Sequence, residues 1–252
     1  MLSFKNKTVL ITGGSRGIGQ ACATAFAALG ARVAINFRKN SRAAQTTIES
    51  LSGSGHIAVK ADISDADEVE GLVAAVVSEF GSLDILINNA GIYEQHAINE
   101  VNYEDWQNSW AQTLAINLTG AANVTYQVVQ TMLENGGGRI VNISSRGAFR
   151  GEPNHPAYAA SKAGLNAMSQ SLAKKLAPEN IFIGVVAPGF VATDMAADIL
   201  EGSEGSAIKA QSPMNRVAEP EEVAKAVLFL ASEGAEFMTG AILDVNGASY
   251  FR

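Results

Sequence analysis

The sequence predicts a single α/β domain, residues 1–252, built on a doubly wound, seven-stranded parallel sheet, and three observations predict it. Seven short apolar runs of strand type alternate with six helical stretches along the whole chain. The first run leads at once into a glycine-rich turn and a helix. Of 252 residues, 47% are hydrophobic and 17% charged, with 24 glycines, which suits one large domain with many tight turns better than two small ones.

The run Thr8-Val-Leu-Ile is the first strand, and Thr12-Gly13-Gly14-Ser15-Arg16-Gly17-Ile18-Gly19 follows it. Ile18, Ala21, Cys22, Ala25, Phe26 and Leu29 then recur at helical spacing, and Gly30 is placed to end the helix in the left-handed conformation. Strand, glycine turn and helix in this order let backbone N–H groups at a helix N-terminus hold a pyrophosphate; a glycine-rich turn without a ligand is the other reading. Residues 32–36 form the second strand, 41–51 a helix and 56–60 the third strand. Residues 65–80 form a helix opened by an Asp65-x-x-Glu68 capping box, and 83–88 the fourth strand, ending in Asn88-Asn89-Ala90-Gly91. A long helical stretch over 103–135 carries Asn117 among apolar neighbours, where its amide either bonds a backbone carbonyl at a bend or holds water. The fifth strand is 139–143, with Ser144 and Ser145 at its end, followed by a loop over 146–156 and a helix over 157–177. Strand six is 182–187, the polar segment 193–220 is placed as a lid, Pro220 starts a helix through Leu230, and 241–245 is the seventh strand.

Charge narrows the partners. The net charge of −7 argues against nucleic acid, yet residues 1–48 hold seven basic residues and no acid, so the remainder carries −7 − 7 = −14. A basic section beside a glycine loop fits a phosphorylated small molecule. The second strand ends without the carboxylate that usually accepts from an NAD ribose; Phe37-Arg38-Lys39 stands there, with Arg16 in the glycine loop, which favours the 2′-phosphate of NADP(H) over a merely solvated basic turn. Cys22, the only cysteine, reads as a buried structural thiol, and the three histidines lack metal-ligand spacing, so no metal is expected. No apolar run is long enough for a membrane helix and no cleavable leader is visible, so a cytoplasmic protein without membrane contact is expected.

Tyr158 and Lys162 stand at i and i+4 of one helix, which puts an ammonium beside a phenol and would draw that phenol towards use as an acid or base. Asp62 and Asn89, at the carboxyl ends of strands three and four, lie where open parallel sheets bind ligands; Asp62 can accept from an adenine amino group or cap the following helix.

These motifs together, from Thr12-Gly13-x3-Gly17-x-Gly19 through Asn88-Asn89-Ala90-Gly91, Asn117, Ser145, Tyr158-x-x-x-Lys162 and Pro188-Gly189 with Thr193 to Asp244-Val-Asn-Gly247, resemble the short-chain dehydrogenase/reductase family over essentially the whole chain, and within it 3-oxoacyl-[acyl-carrier-protein] reductases most. The resemblance implies a Rossmann-type NADPH-dependent carbonyl reductase acting on a ketone or acyl thioester, with Tyr158 as general acid and Ser145 bonding the substrate oxygen. Lys162 would hold the nicotinamide ribose and lower the tyrosine pKa, and Asn117 would position a water. It also implies that Gly13, Ser15, Arg16, Gly17, Ile18 and Gly19 line the phosphates and adenosine, with Asp62 and Ile63 at the adenine. Asn89, Ala90 and Gly91 would flank the cleft, Pro188, Gly189, Val191 and Thr193 would contact the nicotinamide end, and the two long helices would pack a homotetramer. The chain departs from the pattern at Gly184, at Ala248, and in Arg146, Arg150, Glu152 and His155, where the arginines either receive an anionic group or are surface charges. An NAD-linked alcohol or sugar dehydrogenase is the second reading, and a non-enzymatic cofactor sensor, which retained catalytic residues argue against, is the third.

Overall fold

Thr8–Ile11 (β1) is buried along its whole length, as expected of a strand covered on both faces, and it is the centre from which the sheet grows outward in two directions. The computed structural model describes residues 2–203 and 205–252. The other strands are Arg32–Phe37 (β2), Ile57–Lys60 (β3), Ile85–Asn88 (β4), Gly138–Ile143 (β5), Ile181–Pro188 (β6) and Ile242–Val245 (β7). They form one sheet in the order β3-β2-β1-β4-β5-β6-β7, every neighbour parallel.

Strand side chains alternate between faces, so each strand feeds two cores. Val9, Ile11, Ile85, Ile87, Val141 and Ile143 meet α1 (Gly17–Ala28), α2 (Ser41–Ser50) and α10 (Pro220–Leu230) on one side. Leu10, Leu86 and Ile140 meet α3 (Ala66–Phe80), α5 (Ala121–Glu134) and the end of α7 (Pro156–Leu176) on the other. The remaining helices are α4 (Tyr103–Leu114), α6 (Gly147–Arg150), α8 (Asp194–Glu201) and α9 (Gly205–Ala210). No helix among the described residues is long and apolar enough to cross a membrane, and no group of metal-ligating side chains is found among them.

The helical stretch expected over 103–135 is unbroken from Tyr103 to Glu134, but it is not α-helical throughout: α4 and α5 are joined by a π-helical turn, Ala115–Gly120. Gly120 packs against the chain after β3, where an added Cβ would sit 2.6 Å from the Ile63 carbonyl. The Asp65 box is half formed. Asp65 accepts from the amides of Asp67 and Glu68, but the Glu68 carboxylate turns to the amide of Asp62 at 2.7 Å instead of the cap's own amide. A complete box instead opens α10, from Glu219 and Glu222. The loop over 146–156 contains α6, and the polar segment over 193–220 contains α8 and α9.

Candidate active site

Because β1 pairs with β2 on one side and β4 on the other, the chain leaves β1 and β4 in opposite directions, and a crevice opens at their carboxyl ends. The glycine turn after β1 forms its floor. Gly17 is left-handed at φ 55°, which an L side chain rarely adopts. Gly19 serves packing: a Cβ there would lie 2.6 Å from Asn89 Nδ2 and nearer still to the Gly13 carbonyl. Asn89 stitches the turn to β4, donating from Nδ2 to the carbonyls of Thr12 at 2.9 Å and Gly13 at 3.0 Å. The helix that follows, α1, has no side-chain cap and no acid in its first turn, whereas α2, α3 and α4 are capped by Asn40, Asp65 and Asn102. Its free N–H groups and positive dipole end therefore face the crevice without a partner of their own, the condition an anionic group satisfies.

The crevice is a cleft of about 500 Å³. Gly13, Ser15, Arg16, Gly17, Ile18, Arg38, Asp62, Ile63, Asn89, Ala90, Gly91, Ser145, Tyr158, Lys162, Pro188, Gly189, Val191 and Thr193 all line it. Two expected site residues do not. Gly19 lies beneath the turn, and Asn117 lies behind Ile92. At the end of the cleft beside β2 and β3, Asp62 accepts from the amide and hydroxyl of Ser64, at 3.0 and 2.6 Å, and faces Arg38 at 3.6 Å; Asp65, not Asp62, caps α3. These bonds and Arg38 hold the Asp62 carboxyl below its usual range against the opposing pull of burial. Arg16 faces Asp194 at 3.9 Å, so both arginines line the cleft while each has an acid within reach.

At the other end Tyr158 stands half-buried in the cleft wall, and desolvation there pushes its phenol up to about 12, opposed by a hydrogen bond with the Ser145 side chain and reinforced by the charge of Glu152. This corrects the expected downward shift from Lys162. The lysine Nζ is 5.7 Å from the tyrosine ring centre and donates to the Ile143 carbonyl at 2.8 Å, and burial lowers its own pKa to about 8. Ser145 accepts from the amide of Gly147 at 3.0 Å, whereas Ser144 turns back to the Lys162 carbonyl at 3.3 Å, which favours Ser145 as the working serine. Asn117 takes the first of its two expected roles. In the π-helical turn its Oδ1 accepts from the Ile92 amide at 2.8 Å, and its Nδ2 donates to the Ile92 carbonyl at 3.0 Å and to Ser161 Oγ at 3.2 Å.

Residues unforeseen by sequence also line the cleft. Tyr93 stacks on His155 with ring centres 3.7 Å apart and meets the Tyr158 ring edge-on at 4.7 Å. Met195, Ala196 and Ile199 come from α8, inside the segment expected to be a lid. The helical spacing of Met195, Ala196 and Ile199 was the available signal for α8; nothing local marked Tyr93, whose neighbours come from a segment some sixty positions on. The geometry fits an elongated anionic ligand: an uncapped helix end and glycine cradle with Arg16 and Arg38 at one end, and a phenol, hydroxyl and ammonium gathered at the other.

A family model described as enoyl-(acyl carrier protein) reductase matches residues 13–248. The 3-oxoacyl-[acyl-carrier-protein] reductase of Synechocystis sp. (strain ATCC 27184 / PCC 6803 / Kazusa) is 37% identical over 250 residues, 98% of each chain. That of Staphylococcus aureus (strain Mu50 / ATCC 700699) is 36% identical over 246 residues, 97% of this chain and 98% of its own. Among solved structures, a short-chain dehydrogenase/reductase described as glucose/ribitol dehydrogenase from Brucella melitensis superposes with a TM-score of 0.91 at 31% identity, over 100% of this chain and 99% of the other. A dehydrogenase/reductase from Sinorhizobium meliloti 1021 superposes with a TM-score of 0.90 at 32% identity, over 99% and 97%.

Proposed function

The chain belongs to the short-chain dehydrogenase/reductase family, and from that premise we propose that it is an NADPH-dependent reductase of ketones, 3-oxoacyl thioesters or similar, working in the cytoplasm as a homotetramer. The observation that carries the reading is the meeting of Tyr158, Ser145 and Lys162 at one end of a cleft whose other end is the uncapped α1. Bound NADPH would supply hydride. The glycine turn and α1 amides would hold its phosphates, Arg38 and Arg16 its 2′-phosphate, and Lys162 its nicotinamide ribose hydroxyls. Tyr158, kept protonated by burial, would deliver a proton to the substrate oxygen, and Ser145 would donate to that oxygen as charge develops on it. Asn117 would act by fixing Ile92, next to Gly91 and Lys162.

The substitution Tyr158→Phe tests the reading. Turnover of an accepted ketone should fall by about 10²- to 10⁴-fold while NADPH binding, followed by its fluorescence, is retained. Turnover within a few-fold of the unaltered protein would overturn the mechanism. An NAD-linked alcohol or sugar dehydrogenase is the second reading, favoured by Arg38 already having a carboxylate partner in Asp62 and by the Brucella structure's description.

A further inference from the structure

Two cations at the substrate end of the cleft, Lys162 and Arg146, have no carboxylate partner among the described residues, and the reaction above uses only Lys162. The acids that share the surroundings of Arg146 are already taken. Glu152 lies 3.8 Å from Arg150, Asp244 accepts from Arg252 at 2.8 Å, and Glu222 accepts from both terminal nitrogens of Arg216 at 2.7 Å. Arg146 is 3% exposed, so of the two readings its sequence position allows, a surface charge is ruled out. A buried guanidinium is costly without an opposite charge, and it does not shed its proton. We infer that Arg146 is a specificity-determining residue that pairs with a carboxylate on the substrate, so that the site takes oxo acids in preference to their esters. The inference rests on the carbonyl-reductase reading.

Arg146 follows the working serine directly, and its amide donates to the Pro188 carbonyl at 2.8 Å, which fixes its backbone beside the loop that carries Phe190. The guanidinium lies over the Phe190 ring at 5.3 Å, and both residues line the cleft as well as a smaller cavity of about 150 Å³ that shares this wall. Nη1 donates to Ser249 Oγ and Nη2 to Gln211 Oε1 at 2.5 Å. Arg150 donates to the same Gln211 oxygen at 3.2 Å, so two guanidinium groups converge on one neutral carbonyl. Such partners leave the charge of Arg146 in place and use two of its five N–H groups. A carboxylate has the planar shape of the Gln211 amide, accepts the same bonds and brings the charge that the amide lacks. Because Glu152 offsets only Arg150, the group of Arg146, Arg150 and Glu152 keeps a net positive charge, and His155, its pKa pushed down to about 4 by burial, is neutral beside it at neutral pH. Burial, then the charge of Arg150, pull the Arg146 pKa down, with Glu152 opposing; a substrate anion would act in the direction of Glu152 and relieve both.

The test uses 2-oxo-, 3-oxo- and 4-oxopentanoate with their methyl esters, compared by kcat/KM at pH 7 in the unaltered protein, Arg146→Gln and Arg146→Lys. The set moves the carbonyl along one carbon skeleton, so its spacing from the carboxylate is read out by the experiment. In the unaltered protein at least one acid should exceed its ester by about tenfold or more. Arg146→Gln should cut that ratio by about 30-fold, the loss expected when one partner of a buried, hydrogen-bonded charge pair is truncated. Arg146→Lys, which keeps the charge but not the planar fork, should restore part of it. The change should fall on KM more than on kcat, since the pair forms in the ground state and the transition state alike. Should Arg146→Gln not fold, Gln211→Glu decides: a carboxylate placed between the two arginines should fill the site and cut the same ratio by about tenfold or more. Esters used as well as their acids at every carbonyl position overturn the inference while leaving the reductase reading intact. So does a ratio cut by less than about threefold in the deciding variant, the result if Arg146 only ties Gln211 to Ser249. If no ketone is reduced with either NADPH or NADH, the reductase reading falls and this inference falls with it.

Discussion

Replacing Asn117 with alanine separates the two roles its amide could play. The side chain is 1% exposed and makes three hydrogen bonds, two of them to the backbone of Ile92. At about 1 kcal/mol net for each bond, the loss sums to roughly 3 kcal/mol. For a chain of this size each kcal/mol moves the unfolding midpoint by about 2 to 4 °C, so a drop of roughly 6 to 12 °C is expected. Urea unfolding followed by tryptophan fluorescence and a thermal melt measure it. Asn117→Asp should be no better than alanine: it keeps an acceptor for the Ile92 amide but sets a carboxylate oxygen against the Ile92 carbonyl. A residue that only positioned water for the lysine would lower turnover and leave the midpoint where it was. A stability change in Asn117→Ala below about 0.5 kcal/mol would therefore refute the clamp described above.

Arg38→Ala should weaken NADPH binding by about tenfold or more and leave NADH binding little changed, since only the former carries the 2′-phosphate; equilibrium titration of both cofactors checks it, and unchanged NADPH affinity would favour the NAD-linked reading. The depressed pKa of His155, about 4 against an ordinary 6.5, means the unfolded chain takes up this proton first as pH falls. Its contribution is therefore complete above about 6.5 and is lost as pH falls through about 4, so His155→Gln should flatten that part of the stability profile in denaturant melts at a series of pH values. Tyr103, Tyr126 and Leu133 are exposed on α4 and α5, and the Trp110 Nε1 and an amide of α7, Asn166, lack hydrogen-bond partners among the described residues. If these helices pack a homotetramer, sedimentation velocity should return about four times the 26.3 kDa chain mass, and a monomer would remove the assembly from the proposal.

Apolar runs and their punctuation carried most of the fold into the sequence. β1, β4 and β5 are buried on both faces, so Thr8-Val-Leu-Ile and its counterparts read as strands without any knowledge of their neighbours, and Asp65, Asn89 and Pro220 sit where local chemistry puts a cap, a sheet end and a first helical residue. What stayed hidden depends on partners distant in the chain. The π-helical turn forms because Asn117 reaches Ile92 and Gly120 meets Ile63, neither of which has a local signature. Glu68 leaves its capping box because the Asp62 amide competes for it. The spacing of Tyr158 and Lys162 was legible, but the sign of the phenol's shift was not, since it depends on how deeply both groups are buried and on Ile143 occupying the ammonium.

The same π-helical turn bears on how this chain tolerates change in length. Ala115–Gly120 holds one residue more than a regular helix would place there, so the faces of α4 and α5 are set out of phase by about 100°. Deleting a single residue from this turn would let the helix anneal to its locally preferred form, and α5 would then rotate until Val124 and Val128, now inside the core against α3, pointed away from it. Whatever lengthened the chain here cannot be undone in one step without emptying part of the core. The extra residue is thus locked in by the packing on either side of it, and drift in this region should run through substitution, with gaps confined to the connections around it.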